Sequence, residues 1–234
     1  MSGIRTSRNL LRDVDSLKRR SRRLRDDGDL AAAAEAITTA INLLEPEVDR
    51  RRREVDPGDE AAPALGELRD LAAQLADLYG SRGGIRRRGG LYEEALKSYA
   101  RGRELEKSEI YRIDNTYNQV QWLTLQILQH PEQIEQHDPD LLAEIDSTLR
   151  VLETQLLTTR FGDPWALSDL GLLKMLKNDA AGANAAWDQV DALNPAPTVY
   201  RSGLSVLKDL AERLADFGPL QGAVDRFAQR ARPA

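Results

Sequence analysis

The 234-residue chain contains no cysteine, which removes disulfides, thiol nucleophiles and thiolate metal sites together. Its imidazoles are His130 and His137, set seven apart across a proline. That is outside the i, i+4 spacing of a helical metal pair, so no metal, cofactor or catalytic residue is expected. Aromatics are 5% of the chain, too few for the aromatic and β-branched enrichment of strands. No apolar run approaches the ~20 residues that span a bilayer, and the opening MSGIRTSRNLLRDVDSLKRR has no apolar core of a signal peptide. These absences predict a cytoplasmic protein with no membrane partner. The net charge of −5 excludes a general attraction to polyanions, so basic runs must be weighed one by one.

What remains is Ala, Leu, Arg, Glu and Asp, all compatible with helix and several of them strong formers. In WALSDLGLLKMLKNDAAGANAAWDQVDALNP, Leu167, Leu170, Gly171, Ala183, Trp187 and Pro195 follow one another at gaps of 3, 1, 12, 4 and 8. This matches the tetratricopeptide pattern of two antiparallel helices with small residues where they cross. Lys177, Asn178 and Asp179 supply the turn, because Asn tolerates left-handed backbone, and Pro195 stops the second helix. Leu17, Ser21, Leu24, Gly28, Ala33, Ile37, Ala40 and Pro46 fit the same frame, with Pro46 expected to end its helix. Ala72, Leu75, Ala76 and Tyr79, then Gly90, Tyr92, Ala95 and Tyr99, mark a third hairpin. There Tyr79 and Gly90 are eleven positions apart, about seven more than the pattern needs. The excess falls within YGSRGGIRRRGG, either a continuing helix or a loop.

Further helical periodicity runs through Ile113, Tyr117, Val120, Leu123 and Ile127, and through Leu142, Ile145, Leu149, Leu152 and Leu156. These form a degenerate pair joined by HPEQIEQHDPD. TVYRSGLSVLKDLAERLADFG and PLQGAVDRFAQRA read as terminal capping helices broken at Gly218 and Pro219. The expected fold is all-α: a tetratricopeptide-like right-handed α-solenoid of about ten antiparallel helices, residues 1–234 in one domain. Its repeat-like units cover residues 14–46, 68–107, 110–157 and 163–195, with capping helices at 197–230. Flexible points are expected at residues 56–63 and 129–140.

The segments LADLYGSRGGIRRRGGLYEEALKSYARGRELE, IDNTYNQVQ and DPWALSDLGLLKMLKNDAAGA resemble a bacterial tetratricopeptide-repeat family. More distantly they resemble the TRAF-binding region of animal stress-signalling kinase kinase kinases. The likeness lies in the order of parts over residues 66–195. It implies an interaction or regulatory module in signalling or defence assemblies, whose partner is encoded separately because no attached effector domain accompanies it.

Two candidate sites emerge. Asn115, Asn118 and Trp122 lie at steps of three and four with Gln119 beside them, a polar stripe on one helical face. Its amides could pair with a partner peptide's backbone in a concave groove; capping by Asp114 or Asn115 and packing of Trp122 are the competing roles. Arg82, Arg86, Arg87 and Arg88 would form a basic rim suited to an acidic partner, with salt-sensitive binding as its sign. The G-x-x-x-x-G spacing from Gly84 to Gly89 is followed by Gly90 and Leu91 rather than Lys and Ser or Thr, so it is no phosphate loop. A nucleic-acid-binding reading would recruit the basic runs 18–25, 50–53 and 82–88, although Asp26, Asp27, Asp49 and Asp56 flank them.

Overall fold

A computed structural model of the chain describes residues 7–56, 58, 62–214 and 219–232. Among these residues there are eleven helices and no strand: α1 Ser7–Asp26, α2 Leu30–Glu54, α3 Pro63–Arg88, α4 Tyr92–Glu106, α5 Tyr117–Gln129, α6 Pro131–Glu135, α7 Pro139–Leu157, α8 Pro164–Leu176, α9 Ala180–Leu193, α10 Pro197–Arg213 and α11 Pro219–Arg230. No helix among them is long and apolar enough to cross a membrane. The helix beyond the expected ten is α6, inside the predicted linker; Pro131 opens it and Ile134 is buried beneath it. Gly218 and much of the DPGDEAAP stretch (residues 57 and 59–61) lie outside the described residues.

The chain divides into two compact units, Met1–Gln119 and Val120–Ala234. In the first, Val14 of α1, Ile37, Ile41 and Leu44 of α2, and Leu65, Leu68, Leu75 and Leu78 of α3 form one core. In the second, Leu123 and Ile127 of α5, Ile145 and Leu152 of α7, Leu173 and Leu176 of α8, Trp187 and Val190 of α9, and Phe227 of α11 form another. Trp187 fills the space left by Gly171: a Cβ there would sit 2.2 Å from the indole nitrogen. That nitrogen donates to the Ser168 carbonyl at 3.3 Å, satisfying a polar atom that burial would otherwise strand. Phe227 meets Trp187 and Tyr200 edge-on, at 5.4 and 5.7 Å between ring centres.

Four hairpins close by one turn. A residue with positive φ follows the first helix at Gly28, Gly90, His137 and Asn178. Its N–H reaches back three residues: Gly28 to Arg25, Gly90 to Arg87, His137 to Ile134 and Asn178 to Met175. The next N–H reaches back five, from Asp29 to Leu24, Leu91 to Arg86, Asp138 to Gln133 and Asp179 to Lys174, all at 2.8–2.9 Å. This is the Schellman closure, which satisfies carbonyls orphaned at a helix end. The residue after the turn then caps the second helix. Asp29 accepts from Ala32 N–H, Asp138 from Asp140 and Leu141, and Asp179 from Gly182. Leu91 occupies the same place before α4 and has no side-chain cap. His137 is thus a turn residue.

Pro46 does not end α2, which runs on to Glu54. An internal proline removes a backbone bond and costs about 3 kcal/mol. Leu44 and Val48, buried on either side of it, each return roughly 1.5–3 kcal/mol. The continuing turns are laced by Arg50 to Glu47 and Glu54 and by Arg51 to Glu47, at 2.6, 2.6 and 2.8 Å.

The shared turn predicts that Asp179→Ala costs about 1 kcal/mol and that Leu91→Asp, which installs the missing cap, gains about 0.5–1 kcal/mol. Urea unfolding followed by circular dichroism measures both; a Leu91→Asp protein no more stable than wild type would contradict the turn equivalence.

Candidate functional site

The glycine-arginine stretch is helix. α3 continues through YGSRGGIRRR to Arg88, so the seven additional residues are about two further turns and the turn is Gly89, Gly90 and Leu91. Glycine persists inside this helix because α4 and α5 approach it closely. A Cβ at Gly83 would lie 2.6 Å from the Tyr99 ring, and one at Gly80 would lie 2.9 Å from the Tyr117 ring. The two tyrosines meet edge-on at 6.2 Å.

The expected rim of arginines is therefore split among three surroundings. Arg82 and Arg86 turn toward α4. The Arg82 Nε donates to Ser98 Oγ at 3.2 Å, Arg86 Nη1 donates to the same oxygen at 3.0 Å and to the Glu94 carbonyl at 3.2 Å, and Arg82 also stacks 4.9 Å over the Tyr79 ring. Arg87 is buried. Arg88 alone of the four is exposed. In the second basic run, Arg50 is held by Glu47 and Glu54, and Arg51 by Glu47 and Glu67. Two arginines of the second run and two of the third are thus engaged within the fold.

The amide stripe is largely internal. Asn115 accepts from the Tyr117 N–H at 3.1 Å and so caps α5. Asn118 is fully buried, seated where a Cβ on Gly102 would lie 2.3 Å from its amide carbon. Its Nδ2 donates to the Ala76 carbonyl at 3.1 Å and to Glu106 at 2.8 Å. Gln119 is buried and accepts from Arg103. Trp122 is partly buried against the core of the second unit. Asn118 and Gln119 are thus buried rather than facing a groove, Asn118 donating through its Nδ2 and Gln119 accepting through its Oε1.

Glu106, in neither predicted site, organises this region. The last residue of α4, it accepts from the backbone N–H groups of Asn118 and Gln119, both at 3.0 Å, as well as from the Asn118 amide. A carboxylate from one helix thereby occupies the N-terminus of the next, where orphan donors and the helix dipole favour negative charge. Burial outweighs these donors, and the charge of Asp77 adds to it, so the Glu106 carboxyl is pushed up to about 7. A sequence signal did exist: Glu106 follows Gly102 by one helical turn, on the same face.

The open face of the first unit lies along α3 and α1. Asp77, Ser81, Gly84 and Arg88 recur at helical steps on α3 and none is buried. Lys18, Arg22 and Arg25 do the same on α1. Asp77 is solvent-accessible, yet burial raises its carboxyl above the usual range against the opposing charge of Lys18. Arg88 is likewise exposed, yet burial, followed by the charge of Arg25, lowers its guanidinium. Asp77 and Arg88 are thus accessible groups that their neighbours partly desolvate.

Antiparallel hairpins, one recurring turn and small residues at the helix crossings define a tetratricopeptide-like helical-repeat fold. No family model matches the sequence, and no curated protein matches it. Among solved structures, the chain is similar to a tetratricopeptide repeat protein from Parabacteroides merdae ATCC 43184, with 17% identity over 95% of this chain and 82% of that one and a TM-score of 0.37. It is also similar to BtubC (BKLC) from P. vanneervenii, with 16% identity over 96% of this chain and 91% of that one and a TM-score of 0.36. At such scores the packing of the chain itself, and not the likeness, carries the fold.

Glu106 gives a pH prediction. Its folded pKa of about 7 lies above the ordinary carboxylate value, so between roughly pH 4.5 and 7 the folded state holds a proton the unfolded chain has released. This group's contribution to stability is complete below that window and is lost as pH rises through it. Glu106→Gln sets an amide N–H2 against a backbone donor and is expected to cost about 1–3 kcal/mol at pH 5. The deficit relative to wild type should narrow by pH 8 in urea titrations. A deficit that widens instead would show that the three donors outweigh burial.

Proposed function

We propose that the chain is a non-catalytic protein–protein interaction module, a cytoplasmic adaptor or regulatory subunit that binds a peptide or helix of a separately encoded partner. The observation that carries this reading is the open, charged face of α1 and α3. Lys18, Arg22, Asp77, Ser81 and Arg88 line it while the conspicuous polar side chains nearby, Asn118 and Gln119, are consumed internally. Helical repeats present such faces to extended or helical segments of other proteins. A bacterial signalling or defence assembly is the setting proposed, supported by the order of motifs over residues 66–195. The nucleic-acid reading loses ground where Arg50, Arg51, Arg82 and Arg86 are engaged within the fold.

Ser81 is exposed at the middle of this face, and Ser81→Trp fills it without touching the core. Proteins recovered from the source cell by affinity-tagged wild type should be depleted at least ~10-fold with Ser81→Trp, a loss of about 1.4 kcal/mol or more, while the circular dichroism spectrum is unchanged. Recovery of the same proteins at the same level would refute this face as the binding surface.

A further inference from the structure

We infer that the end of this face, where α1 and α3 both terminate, docks acidic side chains of the partner segment at Arg25 and Arg88. The inference rests on the peptide-binding reading above and adds the partner's chemistry. α1 and α3 stand in register along the face, with Lys18 near Asp77 and Arg25 near Arg88. The packing agrees: a Cβ on Gly89, just past the end of α3, would lie 3.9 Å from the Leu30 side chain that follows the α1–α2 turn.

The two ends of the face therefore differ. At one, cation meets carboxylate. At the other, two cations, Arg25 and Arg88, lie near each other where the helix ends converge. Among the described residues Arg88 has no hydrogen-bond or ion-pair partner. Arg25 pairs with Asp26, its chain neighbour, at 2.9 Å on the exposed surface; such pairs are weak and readily exchanged. The negative ends of the α1 and α3 dipoles make the juxtaposition tolerable without a partner. Carboxylates laid across it would replace repulsion by charge-assisted, bidentate hydrogen bonds, for which the guanidinium fork is suited.

The occupant is an acidic peptide rather than a nucleic acid. Asp77 lies eleven residues before Arg88 on the same helix face, about 16 Å away, and Asp26 and Asp27 flank the other side. A phosphate backbone tracking the face would run into these carboxylates, whereas a peptide can be acidic at one end and neutral further along.

The probe is a fluorescein-labelled octaglutamate with an amidated C-terminus, followed by anisotropy at about 50 and 150 mM NaCl. Wild type should bind it, more weakly at the higher salt. Arg25→Gln with Arg88→Gln should weaken binding at least ~10-fold, and Arg25→Lys with Arg88→Lys should recover only part of it, because charge is kept while the bidentate fork is lost. Arg226→Gln, an arginine already paired to Asp188 and Asp191, should stay within about twofold. No binding by wild type, unchanged binding by the double glutamine variant, or tighter binding of a single-stranded octathymidylate would each overturn the inference. If partner recovery depends on Ser81 yet octaglutamate fails, the acidic chemistry falls and the interaction reading stands; if both fail, both fall.

Discussion

Everything in this molecule is organised around the need to end helices in tight quarters. Each helix leaves donors unpaired at one end and acceptors at the other, and burying them unpaired costs more than most side-chain contacts return. One turn answers this four times: a left-handed residue, two backward hydrogen bonds, and in three cases an aspartate that caps the second helix. Where the chain leaves that geometry, after α4, Glu106 of the preceding helix adds a carboxylate to the local cap by Asn115. Close closure also forces small residues at the crossings, so the glycines at 83, 102 and 171 arise from the same requirement.

Much of the fold was legible because its determinants are local. Gly28 and Asn178 announce turns in the sequence, and Leu167, Gly171, Ala183 and Trp187 announce a helix crossing; their observed roles are backbone and packing roles that spacing specifies. What was less legible depended on partners distant in sequence. Pro46 reads as a stop until Leu44 and Val48 are seen buried around it. The Gly-Arg stretch reads ambiguously because glycine disfavours helix by intrinsic propensity, while Tyr99 and Tyr117, which require glycine there, arrive from other helices.

The candidate site was legible as a neighbourhood but not residue by residue. Helical spacing puts Asn118 and Trp122 on α5, whereas Asn115 precedes that helix and accepts from its first N–H. It could not say which side of the helix was covered, and the cover over Asn118 comes from Ala76, Gly102 and Glu106. Among the arginines, the successive turns of α3 send Arg82 and Arg86 to Ser98, bury Arg87 and leave Arg88 open. Once the segment is helix rather than loop, a basic patch becomes a single cation at a defined position.

The sockets that hold Tyr99, Asn118 and Trp187 impose a constraint on how this sequence can drift. Each is a bulky side chain on one helix matched to the absence of any side chain on another, at Gly83, Gly102 and Gly171. Neither member can change freely: enlarging the glycine displaces its partner, and shrinking the partner opens a void that nothing nearby fills. Descendants of this chain should alter such positions in pairs or not at all. That makes these three pairs the natural landmarks for aligning remote relatives whose remaining residues have diverged beyond recognition.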